Sequence, residues 1–488
     1  MQRTRKYFLR IVSTLAIAYL LLLIPDAPPS SKTSPGKQPF VWNQDSLWQA
    51  LENNFLVAKQ QQPDNIQRSI RIQMNRLQVA LLHLQHNKVS PGDAILSSIT
   101  QQYFSTAPLV AAQPVFRDSF LYFYQEIRNA VKQQSVRWNM SEAATRNSLY
   151  QLLYGMRAAT EEVLLQTEAM PFDAVAKGKA ESAATPSASL LGIKVHSGDL
   201  LLSRGGAPVS ALISRGNDYP ANFSHVALLY VDAATNKPWL IEAHIEKGVA
   251  IADAETYLQD KKLRCMVLRL SNHVRALQKD PMLPHKAALL AYQKTQQTHI
   301  PYDFKMNFYD SSAMFCSEVG SFAYQQKGIQ LWQGISTISS PGIINWLGAF
   351  GVENFVTQMP GDLEYDPQLS VVAEWRNPET LMKDHIDNAV MDALIRKADA
   401  GATIGYNHWM LPIARVIKGW SWLQNKFNQP GVIPEGMSAT QGLKNEYFVQ
   451  QYEQLSKSTS LAALQFEKEK GYRPPYWQLV TLAEQASQ

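Results

Sequence analysis

The sequence contains few cysteines, no long block of like charge and no recognisable spacing of metal ligands. Only Cys265 and Cys316 occur among its 488 residues, which excludes a disulfide scaffold, a four-cysteine zinc site and an iron–sulfur cluster. The net charge is +5, and no long basic run occurs, so we expect no nucleic-acid partner. The histidines are scattered and show no HExxH spacing, so we expect no metal and no other cofactor.

The chain does contain enough apolar residues for large cores. Hydrophobic residues make up 45% of it and charged residues 18%, a composition that excludes disorder over most of its length. A chain of 488 residues is too long for one ordinary domain, and its length suggests about three. We therefore expect a globular protein of several parts, with α and β elements, whose chemistry can depend on a single thiol.

Residues 1–25 have the order of a secretory signal. Four basic residues between positions 3 and 10 precede an uncharged apolar run over residues 11–24. Counted from Tyr7, this run approaches the shortest length that spans a bilayer, and no clear cleavage site follows it. We expect an uncleaved anchor in a bacterial inner membrane, rather than a cleaved peptide or a buried helix. The basic residues should stay in the cytoplasm, which places the rest of the chain in the periplasm.

Composition divides the first half of the chain into alternating helical and linker segments. Residues 26–40 are rich in Pro, Ser and Lys, which is typical of a flexible linker. Apolar residues then recur with a helical period, for example over residues 65–87, and predict a helical bundle over residues 41–173. Residues 174–191 contain mainly small and polar residues, with Gly and Pro, and predict a second linker.

Short apolar runs replace the helical period after residue 191. The runs over residues 199–203, 224–231, 239–244, 248–251 and 265–270 predict strands separated by turns. Helices are predicted over residues 286–298 and from Cys316 to a stop at Gly328. Blocks of strands and helices indicate an α+β domain over residues 192–375. Residues 376–488 are predicted to be helical again.

Cys316 is the candidate nucleophile because it opens one of these predicted helices. A thiol nucleophile needs a neighbouring base and a group that orients this base. The unpaired N–H groups of a helix N-terminus also stabilise a thiolate and an oxyanion. His225 is the candidate base, although a histidine in the run FSHVALL, taken alone, is more typical of a core residue. Glu242 is the candidate orienting group, although a salt bridge to an arginine also explains a carboxylate within an apolar strand.

Five short motifs surround these three residues in a fixed order. They are SGDLL at 197–201, FSHV at 223–226, IEA at 241–243, PYDF at 301–304 and FCSE at 315–318. Together they resemble the YiiX/YaeF-like permuted papain-fold amidases of the NlpC superfamily, over about residues 192–335. The resemblance implies a circularly permuted papain-like domain, in which the histidine strand precedes the cysteine helix. An N-terminal helical bundle and a C-terminal helical segment flank this domain.

The resemblance also implies roles for individual residues. Cys316 corresponds to the nucleophile and His225 to the general base, which later acts as an acid. Glu242 corresponds to the acidic residue that holds the imidazole. His244 lies two residues further on the same side of the strand, so it is the alternative third member or a substrate contact. Tyr302 corresponds to a helper or substrate contact near the cysteine helix.

Three neighbouring residues have simpler explanations. Phe315 stands where a tyrosine is common in the family, which alters the wall of the cleft. Glu318 lies in the first turn of the cysteine helix, where the helix dipole favours a negative charge. Cys265 lies in a strand pattern and is most simply a small buried side chain, although a disulfide with Cys316 would abolish the nucleophile.

The resemblance and the N-terminus together predict a membrane-anchored periplasmic thiol hydrolase that cleaves an amide bond. A cell-wall peptide suits the exported location, whereas a lipid amide or ester suits the anchor and the Trp-rich basic segment at residues 409–422. This segment is typical either of a membrane interface or of a helix buried against the bundle. An acyltransferase with the same thioester and a catalytically silent anchored scaffold are the alternative functions.

Overall fold

The N-terminal part of the chain is helical. The computed structural model describes residues 2–27, 40, 45–167, 173–259, 262–332, 334, 336–427, 429 and 431–487. Most of the linker predicted over residues 26–40 lies outside the described residues. The helices are α1 (Gln2–Leu22), α2 (Asp45–Gln60), α3 (Pro63–His86), α4 (Ala94–Ala112), α5 (Arg117–Ser135) and α6 (Ala143–Gln166). Side chains on α3 that recur every three or four residues are buried, as the helical period predicts: Ile66, Ile70, Met74, Leu77, Leu81 and Leu84.

Strands and short helices alternate in the middle of the chain, and longer helices follow. The first elements are β1 (Val175–Lys177), β2 (Ser187–Leu190), β3 (Ile193–His196), β4 (Leu200–Gly205), α7 (Pro208–Arg215), β5 (His225–Val231), β6 (Pro238–His244), β7 (Gly248–Asp253), α8 (Ala254–Gln259) and β8 (Lys262–Leu270). Next come α9 (Arg275–Lys279), α10 (Leu283–Gln297), α11 (Cys316–Gln325), β9 (Ser336–Thr337), α12 (Pro341–Phe350), β10 (Val356–Thr357) and β11 (Leu369–Trp375). The C-terminal helices are α13 (Pro378–Asp399), α14 (Leu411–Lys426), α15 (Ala439–Lys470) and α16 (Tyr476–Ala486).

Among the residues that the structure describes, seven strands form the central sheet, in the order β1-β11-β8-β4-β5-β6-β7, and each strand pairs antiparallel with its neighbours. Side chains alternate between the two faces, so Leu200 and Leu202 belong to one core and Leu201 to another. Helices α10 and α11 pack on β5, and α13 packs on β8. The α+β fold class, with helices at both ends of the chain, is therefore confirmed.

The second linker predicted from the sequence is instead part of the folded structure. Residues 174–191 contain β1 and β2, and β1 extends the central sheet by pairing Val175 with Trp375 of β11. Between these strands, the buried carboxylate of Glu181 accepts hydrogen bonds from Ser271 and Ser370. The prediction was wrong because backbone pairing and one buried carboxylate hold this segment, and neither produces an apolar period in the sequence.

Buried ion pairs join the flanking helices to the sheet. The guanidinium of Arg264, on β8, binds Glu161 of α6 at 2.6 Å and Asp384 of α13 at 2.5 Å. Arg204 of β4 also contacts Asp384, at 3.3 Å, and all four side chains are almost fully buried. Removal of one partner would leave an uncompensated charge in the interior, at a cost of about 3–5 kcal/mol. The N-terminal helices, the sheet and α13 are therefore held together as one packed structure.

Helix α1 contains residues 11–22 of the apolar run near the N-terminus. Its described side chains from residue 10 to residue 21 are exposed. Within the part of the chain that the structure describes, none of the helices combines the length and the apolar character that a membrane crossing requires. The transmembrane segment predicted between Tyr7 and Ile24 is therefore not supported.

Candidate active site

Cys316 is the first residue of α11, as predicted. The preceding residue, Phe315, has an extended backbone, and its N–H donates to the Oε2 atom of Glu318 at 2.9 Å. This hydrogen bond between the backbone N–H before the helix and a carboxyl in its first turn defines the start of the helix at Cys316. At this first helical position the backbone N–H has no acceptor within the helix, so it is available to a ligand or an oxyanion.

Close packing of α11 on the sheet brings Cys316 to the start of β5. Gly320, one turn further along α11, lies so close to β4 that an added Cβ atom would be 2.6 Å from the Cδ2 atom of Leu200. The Sγ atom of Cys316 lies 3.8 Å from the carbonyl oxygen of Ser224. His225, the next residue, interacts directly with the thiol through its imidazole.

His225 and Glu242 lie on adjacent strands, β5 and β6. The Nε2 atom of His225 donates to the Oε2 atom of Glu242 at 2.6 Å. Because Nε2 is bound to the carboxylate, Nδ1 is the ring nitrogen left for the thiol of Cys316. The structure thus brings together the three residues that the sequence suggested as nucleophile, base and orienting group.

His244 binds the other side of the same carboxylate. Its Nε2 atom lies 3.0 Å from the Oε1 atom of Glu242, and its ring centroid is 6.1 Å from that of His225. Of the two alternative third members, Glu242 is therefore the one that contacts the imidazole of His225. His244 lies behind it as a second partner of the carboxylate, and its side chain is 25% exposed.

The local charges favour a protonated imidazole. Burial lowers the pKa of His225, but its contacts with Cys316 and Glu242 outweigh burial and raise the pKa from 6.5 to about 9. Burial raises the pKa of Glu242, but hydrogen bonds from His225 and His244 outweigh it and hold the pKa well below its ordinary value. The site therefore stabilises an imidazolium between a carboxylate and a sulfur atom, which is the charge arrangement that a thiolate nucleophile needs.

The comparison with known families agrees with this geometry. Residues 194–373 match the family of permuted papain-like amidase enzymes, YaeF/YiiX, C92. The resemblance seen in the five motifs is therefore confirmed, and the match supports a cysteine hydrolase of the amidase or peptidase type. None of the curated proteins compared with the chain is detectably similar to it. The matched segment runs from β3 to β11 and includes Cys316, His225 and Glu242, whereas α1–α6 and α13–α16 lie outside it.

Tyr302 lies near the thiol of Cys316, within the segment that matches the family (residues 194–373). It forms an isolated bridge with Met314, two residues before Cys316. Burial raises the pKa of Tyr302 well above its ordinary value, and the nearby Cys316 raises it further, so the hydroxyl stays neutral. Its neighbour Asp303 has a structural contact, because its Oδ1 atom accepts the N–H of Lys305 at 2.8 Å. Tyr302 therefore lies near the thiol, whereas the carboxylate of Asp303 is held by backbone N–H groups of its own loop.

Glu318 is buried beside the nucleophile, and its charge differs from the sequence-based expectation. Burial raises its pKa from 4.5 to about 9, with smaller contributions from Asp303 and Cys316. The sequence suggested that a negative charge here is favoured by the helix dipole. The carboxyl is instead neutral near pH 7 and acts as a hydrogen-bond acceptor for Phe315. A neutral Glu318 leaves a thiolate at Cys316 free of repulsion from its own helix.

Cys265 takes no part in the site. Neither cysteine forms a disulfide, so the alternative Cys265–Cys316 bond is absent. Cys265 belongs to the core on the face of the sheet opposite Leu200, the residue on which α11 packs. Burial raises the pKa of Cys265 from 9.0 to about 12, so this thiol is unreactive near neutral pH.

Proposed function

We propose that the protein is a thiol hydrolase that cleaves an amide bond through an acyl-enzyme on Cys316. The observation that supports this most directly is the position of the His225 imidazole, which contacts both the thiol and Glu242. A base that is held by a carboxylate and is in contact with a sulfur atom at a helix N-terminus is the arrangement that nucleophilic thiol catalysis requires.

In the first half of the reaction, the thiol proton of Cys316 already lies on His225, and the thiolate sulfur attacks the carbonyl carbon of the amide. The backbone N–H of Cys316 donates to the oxygen that becomes negative in the tetrahedral intermediate. The intermediate collapses when His225 returns its proton to the departing amine. An acyl-thioester remains on Cys316.

In the second half, water replaces the amine. His225 removes a proton from water, and the resulting hydroxide attacks the thioester carbon. The carbon–sulfur bond breaks, the acid departs, and the sulfur leaves as a thiolate that is paired with the protonated His225. Glu242 keeps the imidazole oriented and stabilises its protonated form, while His244 holds the second oxygen of this carboxylate. The neutral hydroxyl of Tyr302 is proposed to donate a hydrogen bond to the substrate.

We propose a cell-wall peptide as the substrate and the periplasm as the location. The basic-then-apolar order of residues 1–25 is typical of a chain that is directed to export. Three alternatives remain: hydrolysis of a lipid amide or ester, acyl transfer to an acceptor, and binding without catalysis. The first two give different products from peptide hydrolysis, and the third gives none.

An activity-based thiol probe tests the catalytic proposal. We expect the probe to label the full-length protein at Cys316 and to leave the Cys316→Ala variant unlabelled. The Cys265→Ala variant is the matched control and should be labelled like the wild type, because Cys265 is buried on the other face of the sheet. Labelling that survives the loss of Cys316, or that is absent from the wild type, would leave only a binding protein.

The substrate is tested separately. Purified protein is incubated with cell-wall peptide fragments or with membrane lipids, and mass spectrometry detects the released acid, with Cys316→Ala as the control. Release from the peptides supports the proposal. Release from lipids alone, or transfer of the acyl group to an added amine in preference to water, would contradict the peptide hydrolase and identify the competing function.

A further inference from the structure

Helix α14 has an apolar stripe that faces solvent. Six large side chains follow one another at spacings of four, three, four, three and four residues, and each is between 40% and 72% exposed. This spacing places them along one side of the helix and its two ends. They are Trp409, Ile413, Val416, Trp420, Leu423 and Phe427.

The opposite side of α14 already packs on the protein. Leu411, Ala414 and Ser421 are buried, and Ser421 accepts the backbone N–H of Ile433 at 3.0 Å. Helix α14 therefore has two apolar sides: one is buried against the protein, and the other, the stripe, faces solvent. Exposed apolar side chains that form a continuous stripe, in contrast to scattered ones, indicate a contact surface.

Helix α1 extends this surface. The hydroxyl of Tyr19 donates to the carbonyl oxygen of Trp409 at 3.1 Å. Arg415 of α14 also contacts the segment that follows α1, because its Nη2 atom lies 3.2 Å from the Oδ1 atom of Asp26. The apolar side chains of α1 between positions 11 and 22 are exposed like those of α14. We call the exposed apolar side chains of α1 (residues 11–22) and of the α14 stripe (residues 409–427) the apolar surface.

The charges on these two helices are all of one sign. Helices α1 and α14 contain seven Lys or Arg residues and no Asp or Glu, whereas the whole chain has a net charge of +5. The rest of the chain therefore carries a net charge of −2. In addition, Lys426 lies over the ring of Trp422, 3.9 Å from its centroid. Exposed Trp rings next to Lys and Arg are typical of the boundary between lipid headgroups and acyl chains.

We propose that the apolar surface docks on a lipid bilayer with anionic headgroups, with α1 and α14 lying in the plane of the membrane. The apolar side chains enter the acyl-chain boundary, and the exposed basic residues Arg10 and Lys426 face the phosphates. A second copy of the chain fits less well, because it would place two sets of basic residues against each other. None of the proposed catalytic residues belongs to this surface, so the docking is independent of the proposed hydrolysis.

Flotation of the full-length protein with lipid vesicles tests this proposal. We expect the protein to float with vesicles of phosphatidylcholine and phosphatidylglycerol, and to bind more weakly to phosphatidylcholine alone or in high salt. The double substitution Trp420→Ala and Phe427→Ala should weaken binding by a factor of about ten or more, because two exposed rings no longer enter the lipid. The matched control replaces Leu461 and Leu464, two exposed residues of α15, with alanine and should bind like the wild type.

Several outcomes would overturn the proposal. The first is that the Trp420/Phe427 double variant floats with vesicles as well as the Leu461/Leu464 control does, while circular dichroism shows that both proteins are folded. Another is a loss of self-association, measured by light scattering, without any change in vesicle binding, which would show that a second copy covers the surface. Resistance of the bound protein to alkaline carbonate would show that it spans the bilayer. The Cys316→Ala variant should float normally, so a failure of catalysis is distinguishable from a failure of docking.

Discussion

Replacement of Glu242 by glutamine changes one carboxylate oxygen into an amide and removes the negative charge next to His225. The lost interaction is a hydrogen bond of 2.6 Å between a carboxylate and an imidazole that the site keeps protonated. Hydrogen bonds of this charged kind contribute about 1.5–3 kcal/mol, which corresponds to a change of about 1–2 pKa units. The pKa of His225 should therefore fall from about 9 to between about 7 and 8.

The sign of the effect follows from the direction of the shift. The pKa of His225 is raised in the folded protein, so the imidazolium is present at neutral pH and is lost as the pH rises through about 9. In the Glu242→Gln variant it should be lost at a lower pH. If His225 acts as the acid that protonates the leaving amine, the alkaline limit of activity should move down by the same amount.

Two alkylating reagents of different charge measure this pKa without a substrate. Iodoacetate is an anion and is attracted to an imidazolium, whereas iodoacetamide is neutral. The ratio of their reaction rates with Cys316 should fall as His225 loses its proton, with a midpoint near pH 9 in the wild type. The midpoint should be about 1–2 pH units lower in Glu242→Gln.

The matched control for this experiment is His244→Gln, which keeps the contact between Glu242 and His225. Its midpoint should move less than that of Glu242→Gln, because His244 acts on the imidazole only through the shared carboxylate. The Cys316→Ala variant gives the background rate from Cys265. An identical midpoint in the wild type and Glu242→Gln would refute the idea that this carboxylate holds the charge on His225.

Two further predictions concern stability and the position of α11. Glu161→Gln should lower the free energy of unfolding by about 3–5 kcal/mol in urea, because it disrupts a buried ion pair, whereas Asp280→Asn at an exposed pair should have little effect. The pKa of Glu161 is held well below its ordinary value, so this stabilisation should be present above about pH 4.5 and disappear on acidification; equal stability of the two variants would contradict it. Gly320→Val should slow alkylation of Cys316 and destabilise the fold by about 1–3 kcal/mol, because the added atoms meet the buried Leu200. Gly348→Val is its control, since an added Cβ there meets nothing within 4 Å, and equal alkylation rates would show that the packing of α11 does not position the thiol.

Much of the local structure could be predicted because it depends on neighbouring residues. The strand predicted over residues 224–231 is observed as His225–Val231, and the helix predicted to begin at Cys316 does so. Strand alternation and helical period are local patterns of apolar side chains, so a single sequence carries them. The charge on Glu318 could not be predicted in the same way, because its burial depends on residues distant in the chain.

The sequence by itself determined the order of the motifs, the start of the cysteine helix and the presence of a thiol, an imidazole and a carboxylate in separate elements. Only the tertiary structure decided which of these groups meet. It put Glu242 rather than His244 against His225, it made β1 an edge of the sheet, and it left one side of α14 facing solvent. These outcomes depend on how distant segments pack and on the register in which their strands pair. The energies of these contacts cannot be read from a local pattern of residues.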